Sequence, residues 1–167
     1  MKEKGFTLIE LMVVVSLIAI LLAIATINYG AWSRKYQAER ETRELYADIM
    51  EARLSALQRK QRVSIFFGPR RYIIRRYATA EDTVGTVVVS KDLDNEIRRV
   101  TSGGLAAFDI NTADTGFDNR GLVSIPNQMT LAVMPLELSS GGENCIAVAI
   151  GRTNIGRMVN ATTCTPK

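Results

Sequence analysis

Histidine is absent from this chain of 167 residues, and that gap removes several chemistries at once. A Ser-His-Asp triad, a histidine general base and a histidine-bearing metal site all need an imidazole. Cysteine is nearly as scarce. Cys145 and Cys164 are the only two, too few and too far apart for a Cys-rich zinc site. No G-x-x-x-x-G-K-[ST] phosphate loop occurs, and Gly103-Gly104 and Gly141-Gly142 each follow serine in a turn-like setting rather than a phosphate cradle. Carboxylates alone remain for catalysis, and no acid pair stands out on a recognisable scaffold. The stretch 105–119 carries Asp109, Asn111, Asp114 and Asp118 but lacks EF-hand spacing and a closing glutamate. It reads as a surface loop. Composition therefore argues against an enzyme and calls for no metal or cofactor.

Basic side chains are missing from residues 6–27, and polar ones nearly so. Between residues 8 and 27 only Glu10, Ser16 and Thr26 are polar. Those 20 residues, rising ~1.5 Å each as a helix, match the roughly 30 Å hydrocarbon core of a bilayer. An acid inside such a span costs roughly 2.5–3.5 kcal/mol at mid-membrane and less near the edge. Glu10 therefore calls for a cationic partner from elsewhere. Two plain readings compete for the segment. One is a secretory signal peptide, with Lys2 and Lys4 as its charged region and Ala23-Ile24-Ala25 as the cleavage site. Signal cores avoid acids, which counts against it. The other is a simple membrane anchor with an incidental glutamate.

Lys4-Gly5-Phe6-Thr7-Leu8-Ile9-Glu10, followed by that apolar run, resembles the class III signal of type IV prepilins and type II secretion pseudopilins. The resemblance implies cleavage between Gly5 and Phe6 by a prepilin peptidase of the inner membrane, and N-methylation of Phe6. It places Glu10 near the Phe6 amine of a neighbouring subunit, which supplies the missing cation. In a low-dielectric helix bundle that pair fixes the stagger between subunits. The organisation that follows is a leader at 1–5, a transmembrane polymerisation helix at 6–27, its amphipathic continuation at 28–62 and a β-rich globular domain at 63–167.

Residues 28–61 contain no proline and are rich in Ala, Arg, Glu, Leu and Gln. Leu45, Ile49, Ala52 and Ala56 recur at helical spacing and predict one buried face. Tyr46, Met50, Arg53 and Leu57 widen it, and Arg43, Asp48, Glu51 and Arg59 lie opposite as solvent-type residues. Gly30 is the weak point, since an interior glycine costs ~1 kcal/mol relative to alanine. The pattern changes at Val63. Runs 63–67 and 72–77 around Gly68-Pro69-Arg70 predict a hairpin, and 84–89, 96–100, 121–125, 129–134, 145–150 and 155–160 predict further strands. Residues 152–154 are the expected turn between the last two. A helix followed by consecutive strands implies an α+β fold, a long N-terminal helix packed on an antiparallel sheet. Charge is uneven along the chain. Residues 28–76 hold twelve Lys/Arg against five Asp/Glu, and residues 77–167 hold seven against ten. The basic segment suits a solvated helix flank near anionic lipid headgroups.

Phe117-Asp118-Asn119-Arg120-Gly121, the run 145–152 and Ile155-Gly156-Arg157-Met158 resemble the GspH/FimT-type minor pilins and pseudopilins. That resemblance implies a structural subunit that assembles with other pilins or pseudopilins, at or near the tip of a type IV pilus or type II secretion pseudopilus. Its implied partners are the prepilin peptidase, an inner-membrane assembly platform and inner-membrane lipid. The implied location is the bacterial inner membrane, single-pass, with the globular domain in the periplasm. There Cys145 and Cys164 are expected to pair, closing a loop worth roughly 3 kcal/mol; two separate buried thiols are the alternative. The functional alternative is a DNA-binding minor pilin for DNA uptake in natural transformation, because some FimT-like members use basic residues near the C-terminus. Arg152 and Arg157 are the candidates here. The family's pattern has a second arginine two positions after the first, where Asn154 stands. Arg70, Arg71, Arg75 and Arg76 could add a surface that tracks a nucleic-acid backbone. The net negative charge of 77–167 and the lack of interleaved aromatics favour the structural role.

Overall fold

The T-x-x-E spacing of Thr7 and Glu10 starts the first element. A computed structural model describes residues 6–79, 81–123, 127–136 and 142–166, with backbone alone at 24–28 and 31. Helix α1 (Leu8–Arg59) runs for 52 residues and passes Gly30 without a break. Thr7 is its N-cap: the hydroxyl accepts the Glu10 N–H at 3.3 Å, and the Thr7 carbonyl accepts Leu11 N–H at 3.2 Å. Glu10 in the first turn and Arg59 in the last both suit the helix dipole. Lys60 ends the helix in the left-handed region at φ 57°. Glycine usually takes that place, and a lysine there costs about 1 kcal/mol.

The chain divides into two compact units, Met1–Arg34 and Lys35–Lys167. The described part of the first is helical from Leu8 onward. In the second, the expected face is buried: Leu45, Ile49 and Ala56 are fully enclosed and Ala52 nearly so, with Ala38 and Thr42 extending the stripe. Strands β1 (Arg62–Phe67), β2 (Arg71–Tyr77), β3 (Thr86–Asp92) and β6 (Thr115–Phe117) form a four-stranded sheet in the order β3-β2-β1-β6. Strands β4 (Ile97–Thr101), β5 (Gly104–Ala106), β7 (Met129–Val133), β8 (Cys145–Val148), β9 (Thr153–Asn160) and β10 (Thr163–Pro166) form a second sheet in the order β10-β9-β8-β7-β4-β5. All pairings are antiparallel. Alternate residues of β1 (Val63, Ile65, Phe67) join the helix stripe and Leu131, Ile146 and Val148 of the second sheet in one core. The fold is α+β, a helix packed on antiparallel sheets.

Three buried or half-buried acids connect these layers. Glu41 on α1 accepts the backbone N–H groups of Asp94 and Asn95, both at 3.1 Å, and so holds the β3–β4 turn against the helix. Asp48, expected opposite the buried face, is instead half-buried at its border. It accepts the hydroxyl of fully buried Tyr72 at 2.5 Å and pairs with Lys91 at 2.8 Å. Lys91 also reaches Glu44 at 2.8 Å. Burial first, and the Asp48 carboxylate second, push the Tyr72 phenol far above its usual value; the hydrogen bonds that Lys91 donates to Asp48 and Glu44 raise its ammonium. Asp114 links the sheets: its Oδ2 accepts Phe67 N–H of β1 at 2.9 Å, and its Oδ1 receives the Arg99 guanidinium from β4. Burial raises the Asp114 carboxyl despite both partners.

Several expectations need correction. The supposed surface loop 105–119 contains the end of β5 and all of β6, and buries Phe108, Asp114, Thr115 and Phe117. Its apolar residues are sparse but point inward, which a reading of its acids alone does not show. Residues 121–123 are not a strand. Asp118 accepts the N–H groups of Arg120 and Leu122, both at 2.8 Å, and Gly121 adopts φ 70°, which makes a turn; residues 124–125 lie outside the described residues. The turn between β8 and β9 closes at 149–152, where Ala149 N–H donates to the Arg152 carbonyl at 2.9 Å, so Thr153 and Asn154 already belong to β9. Strand β10 was not expected. Cys145 and Cys164 form a disulfide, S–S 2.05 Å and Cα–Cα 6.1 Å, joining β8 to β10, which both flank β9. The exposed edge β3 carries a bulge opposite Ile74 and Arg75, an edge feature that discourages unwanted pairing.

Three outcomes follow for the folded domain, each read by thermal melting of the protein in detergent. Lys60→Gly raises stability by up to ~1 kcal/mol, because it removes the left-handed penalty. Gly116→Ala lowers it by about 1–3 kcal/mol, since a Cβ there would strike the Val63 carbonyl across the β1–β6 pair. Tyr72→Phe lowers it by about 1.5–3 kcal/mol by removing a hydrogen bond to a charged acceptor. Tyr72 and Lys91 both hold their protons more tightly folded than unfolded, so above about pH 10 the folded state binds more protons and stability falls as pH rises. Tyr72→Phe flattens that alkaline loss.

Candidate assembly site

In the unit Met1–Arg34 the apolar side chains point outward all round the helix. Phe6 is 82% exposed, and Leu8, Ile9, Leu11, Met12, Val13, Leu17, Ile18, Leu21 and Leu22 are exposed as well. A continuous apolar surface of this kind marks a lipid or protein contact rather than a water-facing helix. Within the apolar run 8–27 the two described polar side chains, Glu10 and Ser16, are handled differently. Ser16 Oγ donates to the Met12 carbonyl at 2.8 Å, which satisfies the hydroxyl within the helix itself. Glu10 is exposed in the first turn, and among the described residues nothing pairs with its carboxylate. Among the described residues no helix is long and apolar enough to cross a membrane; the side chains of 24–28, where the apolar run ends in sequence, are not among them. Gly5 of the expected cleavage pair also lies outside the described residues.

The globular unit carries ion pairs and open clefts at its surface. Arg43 bridges Glu39 at 2.5 Å and Glu143 at 2.8 Å, and both acids, Glu143 foremost, raise its pKa. Arg53 donates to the Gly151 carbonyl at 2.6 Å and so braces the β8–β9 turn. An open cleft of about 310 Å³ is lined by Lys60, Gln61, Arg62, Tyr77 and Asp118. Beside it Asp82 accepts the N–H groups of Gly85 at 2.9 Å, Val84 at 3.1 Å and Ala78 at 3.2 Å, which hold its carboxyl below the usual range and shape the β2–β3 loop. Among the described residues no group of three or more His, Cys, Asp or Glu could hold a metal ion.

The basic residues singled out as DNA candidates sit in different local settings. Arg152 is exposed in the 149–152 turn, whereas Arg157 in β9 borders a cleft of about 290 Å³ with Glu143, Val159 and Thr165. In the first hairpin, Arg71 pairs with Asp92 at 3.3 Å, and Arg75 lies over the Phe66 ring and donates to the Val84 carbonyl at 3.2 Å. Sequence reasoning missed Thr7 as the helix cap, although T-x-x-E is legible. It also missed Glu41 and Asp114, whose buried roles carry no local signal.

With this geometry in place, comparison with known proteins is direct. Residues 1–26 match the prokaryotic N-terminal methylation motif. Two fimbrial proteins of Pseudomonas aeruginosa are each 44% identical over 62 residues, covering 37% of this chain and 40% of theirs. The chain thus aligns with about two fifths of the curated relatives it matches. The minor pseudopilin EpsH from the type 2 secretion system of Vibrio cholerae superposes with a TM-score of 0.50 at 12% identity, over 70% of this chain and 98% of that one. The chain thus carries that methylation motif ahead of a fold shared with the minor pseudopilin.

Proposed function

We propose that the protein is a structural, non-catalytic minor pilin or pseudopilin subunit, which polymerises through its N-terminal helix into a type IV pilus or type II secretion pseudopilus at or near the tip. The observation that carries this reading is the methylation motif at 1–26 leading into a helix whose apolar side chains are exposed on every side. Prepilin peptidase cuts between Gly5 and Phe6, and Phe6 becomes the methylated N-terminus. Until assembly, residues 6–27 anchor the subunit in the inner membrane, with the disulfide-bonded domain outside the cytoplasm. An inner-membrane platform then moves it from lipid into the filament. Both environments are apolar, so the transfer keeps the helix surface covered throughout.

Glu10 has a defined part in this scheme. Its carboxylate is unpaired among the described residues, at the end of the helix where a neighbour's Phe6 ammonium is expected. A charge pair of that kind in a low-dielectric bundle is costly to break, and so it sets the axial register of one subunit on the next. The globular domain supplies lateral contacts and the choice of neighbours. DNA contact through Arg152 and Arg157 gains no support from these comparisons.

The experiment is Glu10→Ala in the native assembly system. Intact mass is expected to show removal of residues 1–5 and one added methyl in variant and parent alike, with both proteins in the membrane fraction. Incorporation into sheared or crosslinked filaments is expected to be lost in the variant alone. Filaments that take up Glu10→Ala at the parent level would remove the register role, and a retained leader would remove the pilin-type processing.

A further inference from the structure

The helix carries a second signal just beyond its apolar run. Tyr29 and Trp32 are 68% and 56% exposed, and their rings lie 6.4 Å apart between centroids at an interplanar angle of 39°. Three residues apart, they share one helix face and are separated by only about 4.5 Å along the axis. Tyr29 stands about 32 Å along the axis from Leu8, close to the roughly 30 Å thickness of a hydrocarbon core. Arg34 adds a cation at this level. Its guanidinium folds back toward Gly30, 3.5 Å from where a Cβ on that glycine would lie. The hydrogen of Gly30 leaves that side of the helix open.

We propose that Tyr29, Trp32 and Arg34 form a collar that binds the phosphate and glycerol layer of the outer leaflet of the inner membrane and sets the depth at which the unassembled subunit waits. This rests on the reading of residues 6–27 as a membrane anchor. Tyrosine and tryptophan pair an apolar ring with one polar group, and therefore collect at the boundary between chains and headgroups. A long basic side chain at the end of a span reaches that same layer and meets lipid phosphate there. An aromatic pair with a guanidinium folded to its level offers one layer both kinds of contact. Such a collar holds Glu10 at the opposite end of the span at a constant height, ready for the next subunit.

Trp32 is the only tryptophan in the chain, so the protein's own indole emission reports this position alone. The full-length protein is reconstituted into phosphatidylcholine–phosphatidylglycerol vesicles carrying a nitroxide either on the headgroup or near the acyl-chain end. Trp32 emission is expected to shift to the blue on reconstitution and to be lost mainly to the headgroup label. The variant Trp32→Phe with Ile18→Trp places the same reporter mid-span, and its emission is expected to be lost mainly to the chain-end label. If Ile18→Trp behaves so while Trp32 is quenched by neither label, or mainly by the chain-end label, the collar is overturned and the anchor stands. If neither reporter is quenched, the anchor itself fails and the collar with it.

Discussion

The buried stripe of α1 is what both sheets are built on. Leu45, Ile49, Ala52 and Ala56 present a narrow apolar ridge with two alanines. Strand β1 meets it with Val63, Ile65 and Phe67, and the second sheet with Leu131, Ile146 and Val148. Because one ridge serves two sheets, a single core suffices for a domain of this size. Large side chains replacing the alanines would have to displace strands of the core, not merely neighbouring rotamers.

Around that apolar ridge, acids tie the loops and layers together. Glu41 satisfies two backbone donors of the β3–β4 turn, Asp114 joins β1 to β4, and Asp48 receives the Tyr72 hydroxyl. Each takes up a polar group that would otherwise be buried without a partner, and such a loss is more costly than the net gain of an ordinary hydrogen bond. The disulfide does comparable work at the chain's end, where β10 is short and mostly exposed and has little apolar surface to hold it.

The functional reading depends on a division of labour within one helix. Among the described residues, those before Arg34 expose apolar side chains, and those after it bury one face and charge the other. The surface clefts of the globular unit are open.

The apolar run, the K-G-F-T-L-I-E motif and the 45–56 periodicity were legible in the amino-acid order because each is a local pattern. An apolar run needs only consecutive apolar residues, a methylation motif only its own residues, and a helix face only a 3.6-residue spacing. The first hairpin was legible for the same reason, with Gly68-Pro69 between two β-prone runs. Tertiary structure alone decided the rest. Asp114 and Phe117 look like loop residues until β6 pairs with β1; Asp48 looks solvent-facing until Tyr72 arrives from β2; and β10 is too short and polar to announce itself before the disulfide and β9 hold it. In each case the deciding partner lies far along the chain, and only folding brings it within reach of a hydrogen bond or a shared core.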